Sequence, residues 1–243
     1  MQKSSFKLKD GILELAKEKG IYTIEDNAQA IGAVFNSKLN GPKKTGTMGT
    51  IGTTSFFPSK NLGCYGDGGA IFTNDASLSE KIAMIANHGQ KRKYFHSVIG
   101  CNSRLDALQA AVLNVKLKDL DSYASARQKV AKKYDEAFGE MEQVIVPERL
   151  ENSTHVFHQY TLKIRNGKRD ALKDYLNEHG VPCMIYYPVP LYKQEAFAPM
   201  TDVKELSVTE QLCKDVLSLP IHTEMKPEVQ TYIIQTLHNF YNS

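Results

Sequence analysis

Lys60 stands in a sequence setting where a lysine amine could act as a nucleophile. It follows a stretch of β-branched and aromatic residues and precedes a run rich in glycine. A lysine becomes a neutral nucleophile when apolar surroundings or a nearby cation lower its pKa, and Phe56, Phe57 and Pro58 could supply the apolar part. A solvated loop lysine is the competing interpretation, and for any lysine taken alone it is favoured.

Asp26, Gln29 and Ser55 are polar residues at or near predicted strand ends. A carboxylate at Asp26 could keep a pyridinium nitrogen protonated, but an aspartate there could equally cap a helix. Gln29 could contact the same ligand or be an ordinary loop amide. The hydroxyl of Ser55 could bind phosphate, although strand hydroxyls more often satisfy the local backbone.

The elements that must position these residues alternate between helix and strand. Ile12, Leu15 and Ala16 share one helical face, and Gly20 ends that helix. Ser77 and Glu80 form a capping-box pattern at the start of another helix. The remaining segments of this half are predicted as strands at 21–24, 50–57 and 69–73 and as a loop at 36–49. This order indicates an α/β fold with a largely parallel sheet.

The second half of the chain predicts a smaller α/β unit. A start signal at Ser103 and Asp106 precedes a helix with periodic apolar residues at 105–115, and a second long helix is predicted at about 121–138. The later segments are predicted as strands at 156–164 and 183–187, a helix at 168–179 and two terminal helices, the last from Pro227. We therefore place a first domain at 1–120 and a second at 121–243.

Several other chemistries lack support in the sequence. His155 and His158 would point to opposite faces of a strand, and no cysteine or histidine set has zinc spacing, so no metal site is predicted. Phosphate-loop and nucleophile-elbow motifs are absent. The basic run at 90–94 is short and isolated, which favours a solvated or sugar-nucleotide-facing loop over a nucleic-acid surface.

Composition limits the partners and the cellular location expected for the chain. The 243 residues are 42% hydrophobic and 23% charged, with a net charge of +3 that does not by itself indicate a nucleic-acid or membrane partner. The four cysteines are widely spaced, no apolar run could span a bilayer, and the first ten residues lack the apolar core of a signal peptide. These features predict a soluble, cytoplasmic protein.

Four ordered strings together resemble the pyridoxal-phosphate-dependent sugar aminotransferases of the DegT/StrS type. They are I-E-D-N-A-Q at 24–29, S-F-F-P-S-K-N-L-G-C-Y-G-D-G-G-A-I at 55–71, N-H-G at 87–89 and G-C-N-S-R-L-D-A-L-Q-A-A at 100–111. The resemblance continues through Y-Y-P-V-P-L at 186–191. It implies the type I, aspartate aminotransferase-like fold, with a large cofactor domain and a smaller C-terminal α/β domain.

The resemblance also implies a role for each matching residue. Lys60 matches the lysine that binds pyridoxal 5'-phosphate and moves protons, and Asp26 matches the aspartate that pairs with its ring nitrogen. Gln29 would lie near the ring oxygen and Ser55 on the phosphate. The other matches are Asn102, which would reach the cofactor of a neighbouring subunit in a homodimer with shared sites, and the substrate-facing residues Arg104, Tyr186 and Tyr187.

The implied reaction is transfer of an amino group from L-glutamate to a nucleotide-linked keto sugar for surface polysaccharide synthesis. The strings look most like enzymes that aminate C3 of UDP-2-acetamido-2-deoxy-3-oxo-glucuronate. Tyr186 departs from that pattern, because some C3-aminating relatives have a histidine there, and a 4-keto sugar is the alternative. The loop at 41–47 also looks longer than in relatives.

A further departure concerns length. The chain begins well inside the expected large domain, so roughly the first third of a family member is expected to be absent. A catalytically incompetent remnant is therefore an alternative to an active enzyme. Lys60 argues against a dehydratase-like relative, in which a histidine replaces this lysine, and a nucleotide-sugar binding module without chemistry is the least favoured alternative.

Overall fold

The computed structural model describes residues 4–38 and 41–242, which form two compact units. Unit 1 contains the described residues up to Ser125 together with Arg149–His158. Unit 2 contains Ala126–Glu148 and the described residues from Gln159 onward. The division into functional domains at 1–120 and 121–243 stays a prediction. That division did not include the return of residues 149–158 to unit 1.

Unit 1 alternates helices with short strands. Its elements are α1 (Ser4–Lys19), β1 (Ile24–Asp26), β2 (Val34–Ser37), β3 (Gly41–Lys44), β4 (Ile51–Ser55), β5 (Gly69–Phe72), α2 (Ala76–Ala86), β6 (Gln90–Arg92), β7 (Phe95–His96), α3 (Ala107–Lys116) and the start of α4 (Leu120–Phe138). A short 3₁₀ turn at Leu117–Asp119 joins α3 to α4. The alternation of helices and strands agrees with the expected α/β class.

The central sheet of unit 1 has the strand order β1-β4-β5. Strands β1 and β4 run parallel, with Asp26 opposite Thr53, and β5 runs antiparallel to β4, with Gly69 opposite Ser55. The pairing in this sheet is therefore mixed. Because β1 and β4 are parallel neighbours, their carboxyl ends lie at the same edge of the sheet.

A buried apolar cluster supports the segment that follows β4. Phe56, Leu62 and Cys64 pack with Leu113 of α3 and Leu120 of α4, and partly buried side chains complete the cluster. Complete burial of a large apolar side chain contributes about 1.5–3 kcal/mol to stability. Burial of these side chains therefore fixes the Lys60 loop against α3 and α4.

Two predictions about local structure in unit 1 were wrong. Residues 36–49 are not one loop, because β2 and β3 form an antiparallel hairpin in which Phe35 and Ser37 are buried. The start of α2 is capped by Asp75, whose carboxylate accepts hydrogen bonds from the N–H groups of Ser77 and Leu78. Asp75 is therefore the N-cap of this helix, two residues before the position that the Ser77 pattern predicted.

Unit 2 is built on an antiparallel sheet with the order β10-β9-β8. Its elements are the rest of α4, β8 (Val144–Ile145), β9 (Tyr160–Ile164), α5 (Arg169–Glu178), α6 (Ser207–Asp215), β10 (Val216–Leu219) and α7 (Pro227–Asn242). The core contains large, almost fully buried side chains, among them Tyr134, Phe138, Leu162, Leu176 and Leu237. The predicted strand at 183–187 is not formed; only Met184 makes a bridge, to Ser218.

Candidate active site

Asp26 and Ser55 lie at the same sheet edge, at the ends of the parallel strands β1 and β4. The backbone N–H of Asn27 donates to the carbonyl of Thr53 at 2.8 Å, which continues the pairing past Asp26. The Asp26 carboxylate is exposed, and its Oδ1 accepts a hydrogen bond from the N–H of Ala28 at 3.0 Å. Asp26 thus stabilises a turn and does not cap an α-helix, and its second oxygen has no partner among the described residues.

Ser55 is half-buried, and its hydroxyl forms one hydrogen bond with the local backbone while its hydrogen remains available to a ligand. Its Oγ accepts a hydrogen bond from the N–H of Phe57 at 3.2 Å. The hydroxyl hydrogen has no acceptor among the residues that the structure describes. A serine in this position can therefore still donate to a bound anion.

The loop that carries Lys60 is held by backbone hydrogen bonds at both of its ends. The N–H of Phe56 donates to Gly68 at 2.7 Å, the N–H of Cys64 donates to Phe56 at 2.8 Å, and the N–H of Lys60 donates to Phe57 at 2.8 Å. Glycine is required at position 63, because a Cβ there would lie 2.4 Å from the carbonyl oxygen of Pro58. The loop therefore has a defined, close-packed course.

Lys60 itself is half-buried, and its amine has neither a hydrogen-bond nor an ion-pair partner in the described ranges. The apolar surroundings expected from its neighbours are only partly present. Phe56 is buried in the cluster described above, whereas Phe57 is 50% exposed and Pro58 is exposed. An amine without a protein partner is free to bond to a ligand.

Two side chains of α3 bond to the backbone of the Lys60 loop, and their role was not predicted from the sequence. The amine of Lys116 donates to the carbonyl of Gly63 at 2.7 Å, and the Oε1 of Gln109 accepts a hydrogen bond from the N–H of Tyr65 at 2.7 Å. Gln109 and Lys116 are seven residues apart, a spacing that places them on one face of a helix. That spacing was the available signal, but it does not reveal which loop the face meets.

Glu25, directly before Asp26, is a further residue whose role was not predicted from the sequence. Its carboxylate accepts hydrogen bonds from the amine of Lys9 at 2.9 Å and from the N–H groups of Gly46, Met48 and Gly49 at 3.0, 2.5 and 2.5 Å. Burial alone would raise the pKa of Glu25, but these four donors outweigh it and lower the pKa below the usual 4.5. Glu25 thereby fixes the end of β1, where Asp26 lies.

The other predicted site residues occupy three separate places. Gln29 is exposed in the turn that follows β1. Asn102 and Arg104 are exposed on an extended segment, where Asn102 pairs with Asn87 and Arg104 lines a cavity beside β6 and β7. Tyr186 and Tyr187 belong to unit 2 and are 39% and 69% exposed. The structure thus brings Asp26 and Ser55 to one sheet edge, with the Lys60 loop directly following β4.

These groups fit the chemistry of pyridoxal phosphate. The cofactor offers a carbonyl carbon that bonds to an amine, a ring nitrogen that pairs with a carboxylate, and a phosphate that accepts hydrogen bonds. Lys60 presents an amine without a partner, Asp26 a carboxylate oxygen without a partner, and Ser55 a hydroxyl that can donate. The donor set agrees with the three parts of the cofactor.

Two other structural features are not found among the described residues. No group of three or more histidine, cysteine or acidic side chains within residues 4–38 and 41–242 is arranged to hold a metal ion. Among the described helices, none combines the length and the apolar character that crossing a bilayer requires.

Residues 9–238 match the DegT/DnrJ/EryC1/StrS aminotransferase family. The chain is 46% identical over 237 residues to a pleiotropic regulatory protein of Geobacillus stearothermophilus, covering 96% of the chain and 61% of that relative. It is 43% identical over 213 residues to UDP-2-acetamido-2-deoxy-3-oxo-D-glucuronate aminotransferase of Pseudomonas aeruginosa, covering 88% of the chain and 56% of that relative. The chain therefore spans about three fifths of the length of these relatives.

Solved structures confirm the predicted type I aminotransferase fold and its α/β class. A DegT/DnrJ/EryC1/StrS aminotransferase from Brucella abortus superposes with a TM-score of 0.87 at 38% identity, covering 96% of the chain and 61% of that protein. NtdA from Bacillus subtilis, solved with bound cofactor PMP, superposes with a TM-score of 0.85 at 28% identity, covering 96% of the chain and 53% of that protein.

Proposed function

The chain belongs to the DegT/DnrJ/EryC1/StrS aminotransferase family, and we propose that it carries the lysine-bearing part of a pyridoxal-phosphate-dependent sugar aminotransferase. The observation that supports this most directly is the free amine of Lys60 on a fixed loop that follows β4, with Asp26 and Ser55 at the adjoining strand ends. When bound, pyridoxal phosphate supplies an electron sink for amino transfer.

Each side chain has a distinct part in this proposal. The amine of Lys60 holds the cofactor and takes and returns the proton at the reacting carbon. The carboxylate of Asp26 keeps the ring nitrogen protonated, and the hydroxyl of Ser55 donates to the phosphate. Gln29 would contact the ring, and Asn102 would serve the site of the partner in a homodimer.

The proposed amino acceptor is a UDP-linked 3-keto sugar, and L-glutamate is the proposed donor. The relative from Pseudomonas aeruginosa supports the acceptor, because its name specifies a UDP-linked 3-oxo-glucuronate. Arg104, Tyr186 and Tyr187 are the proposed substrate contacts. A role in surface polysaccharide synthesis and a cytoplasmic location stay predictions.

Cofactor binding tests the proposal directly. The wild-type chain mixed with pyridoxal phosphate should develop the visible absorbance of the lysine-bound cofactor, and Lys60→Ala should abolish it. Lys118→Ala removes an exposed lysine from the 3₁₀ turn after α3 and is the matched control, which should keep the absorbance. Equal absorbance in wild type and Lys60→Ala would contradict the role of Lys60.

A second candidate function is a folded relative that keeps Lys60 without a complete cofactor site. The exposure of Asp26 and Gln29 favours this alternative, because a bound cofactor needs surroundings that exclude water. A wild-type chain that is folded by circular dichroism but gives no visible absorbance with the cofactor would support it over the active enzyme.

The acceptor is tested by competition between sugars. A chain that carries the amino group from glutamate should transfer it to a UDP-linked 3-keto sugar faster than to the 4-keto isomer, with the amino sugar identified by mass spectrometry and NMR. Transfer to the 4-keto sugar alone would contradict the C3 assignment. It would support the 4-keto alternative, which the tyrosine at position 186 leaves open.

A further inference from the structure

Asn61, the residue directly after Lys60, joins the Lys60 loop to a distant stretch of unit 1. The Nδ2 of its side chain donates a hydrogen bond to the carbonyl oxygen of Val156 at 2.8 Å. Val156 belongs to the return segment, residues 149–158, which lies within unit 1. The two partners are 95 residues apart in the sequence, so a local pattern does not indicate this contact.

The return segment is itself held in place by β2. The N–H of Thr154 donates to the carbonyl of Val34 at 2.9 Å, and the N–H of Val34 donates to the Oγ1 of Thr154 at 2.8 Å. Val156, two residues further along, is buried. Val156 therefore offers the amide of Asn61 an acceptor with a fixed position.

The peptide group between Val156 and Phe157 is fixed at both of its ends. Its carbonyl accepts from Asn61, and its N–H donates to the Nδ1 of His155 at 3.0 Å. Phe157 has φ of +46°, a conformation that is rare for a bulky residue and persists only where its surroundings impose it. The ring of Phe157 is buried between the guanidinium of Arg149, 4.0 Å from its centroid, and the stacked ring of His155, at 3.9 Å. These contacts keep the Val156 carbonyl directed at Asn61.

The amide of Asn61 contributes little net stability. Its Oδ1 is buried and has no hydrogen-bond donor among the described residues. The free-energy cost of a buried acceptor without a donor offsets the gain from the hydrogen bond that Nδ2 donates. An apolar side chain at position 61 would therefore stabilise the fold about as well, which indicates that the amide has another role.

The place of Asn61 in the loop indicates which residue it orients. The two side chains of α3 bond to the loop backbone further on, at Gly63 and Tyr65. The Asn61 contact lies directly after Lys60, and the N–H of Lys60 itself donates to the carbonyl of Phe57 at 2.8 Å. Lys60 is thus held on one side by its own turn and on the other by Asn61.

We propose that Asn61 is a positioning residue for Lys60, which directs the lysine amine toward the cofactor by joining its loop to the Val156 carbonyl. The inference rests on the proposed function and deepens it, because it adds a residue that acts through Lys60 without contacting the cofactor. A reacting group must be held within about 0.5 Å of its productive position by neighbours that are themselves fixed. The return segment supplies such a fixed neighbour.

Asn61→Ala tests the proposal, with Asn114→Ala as the matched control, since Asn114 is an exposed asparagine of α3. Titration with pyridoxal phosphate should show that N61A forms the lysine-bound cofactor with about tenfold weaker affinity than the wild type. The visible circular dichroism of the bound cofactor should also change, because it depends on how the protein holds the ring. The midpoint of thermal unfolding should stay within about 3 °C of the wild type. N114A should match the wild type in all three measurements.

Asn61→Asp is a second variant that keeps the shape of the side chain. It places an oxygen without a hydrogen against the carbonyl of Val156, so it should weaken cofactor binding at least as much as N61A does. The proposal is overturned if either variant binds the cofactor with the affinity and the circular dichroism of the wild type. It is also overturned if the unfolding midpoint of N61A falls by about 10 °C or more, since a general loss of fold would then explain the weaker binding.

Hydrogen exchange of the chain without cofactor distinguishes the failure of this inference from the failure of the proposed function. Amides at 60–64 should exchange about tenfold faster in N61A than in the wild type or N114A, because the loop opens locally. Unchanged exchange there would overturn the inference, whatever the cofactor does. A wild-type chain that gives no visible absorbance, but whose N61A variant exchanges faster at 60–64, loses the proposed function and keeps the anchoring role of Asn61.

Discussion

Adjacent carboxylates at the end of β1 have different tasks. Glu25 is largely buried and accepts hydrogen bonds from Lys9 and from three backbone N–H groups. Asp26 is exposed and accepts a hydrogen bond only from the N–H of Ala28 among the described residues. The buried carboxylate therefore contributes mainly to stability, and the exposed one is available for a ligand. This division gives two separable expectations for substitutions at neighbouring positions.

Glu25→Gln should lower the free energy of unfolding by about 1–3 kcal/mol near neutral pH, because the amide cannot satisfy the same donors. The folded-state pKa of Glu25 lies below its usual 4.5, so its stabilising effect is present above that value and is lost as pH falls through the folded-state pKa. Urea unfolding of both chains should show their difference shrinking with acidification. Glu18→Gln, at an exposed position, is the control; a difference independent of pH would contradict the assignment.

Asp26→Asn should leave the unfolding free energy within about 0.5 kcal/mol of wild type, because an exposed asparagine can still accept from the N–H of Ala28. The same substitution should weaken binding of pyridoxal phosphate, since an amide cannot keep the ring nitrogen protonated. Thermal unfolding and cofactor titration measure the two effects. A large loss of stability with unchanged cofactor binding would show that Asp26 has a structural role alone.

At the scale of elements, local patterns predicted the helices and strands better than their contacts. The ends of β4 and β5 and the span of α4 were close to the predictions, because β-branched runs and helical periodicity are local signals. The hairpin of β2 and β3 was missed. The support of the Lys60 loop by α3 was missed as well, because a periodic pattern does not specify the tertiary partner of a helix face.

Gly89 should be essential for the cavity beside β6 and β7. It has φ of +72°, and a Cβ there would lie 1.7 Å from the carbonyl oxygen of Val98. Gly89→Ala should therefore destabilise the chain by more than about 1 kcal/mol. Urea unfolding of the variant and the wild type measures this loss.

Gly11→Ala is the matched control for this substitution. Gly11 lies within α1, and nothing lies within 4 Å of a Cβ built there. Alanine in a helix interior is favoured over glycine by about 0.5–1 kcal/mol, so this variant should be as stable as the wild type or more so. Equal behaviour of the two variants would contradict the role assigned to Gly89.

At the scale of the whole molecule, the chain crosses between its units more than once. Residues 149–158 return to unit 1, where the N–H of Asn36 donates to Asn152 and the N–H of Thr154 donates to Val34. These partners are more than a hundred residues apart, and no local pattern in a single sequence indicates such a pairing. The α/β class could be predicted because helix and strand patterns are local, and the proposed cofactor residues were proposed from contiguous strings.

Because each unit has its own buried side chains, a core substitution in one unit should act first on that unit. Leu162 of β9 is fully buried, so Leu162→Ala should cost unit 2 about 2–5 kcal/mol. Native-state hydrogen exchange should show faster exchange in β9 and β10, whereas the amides of β4 keep their protection. Val229→Ala removes a half-exposed side chain from α7 and should change little. Equal loss of protection in β4 and β9 would show that the two units unfold as one cooperative body.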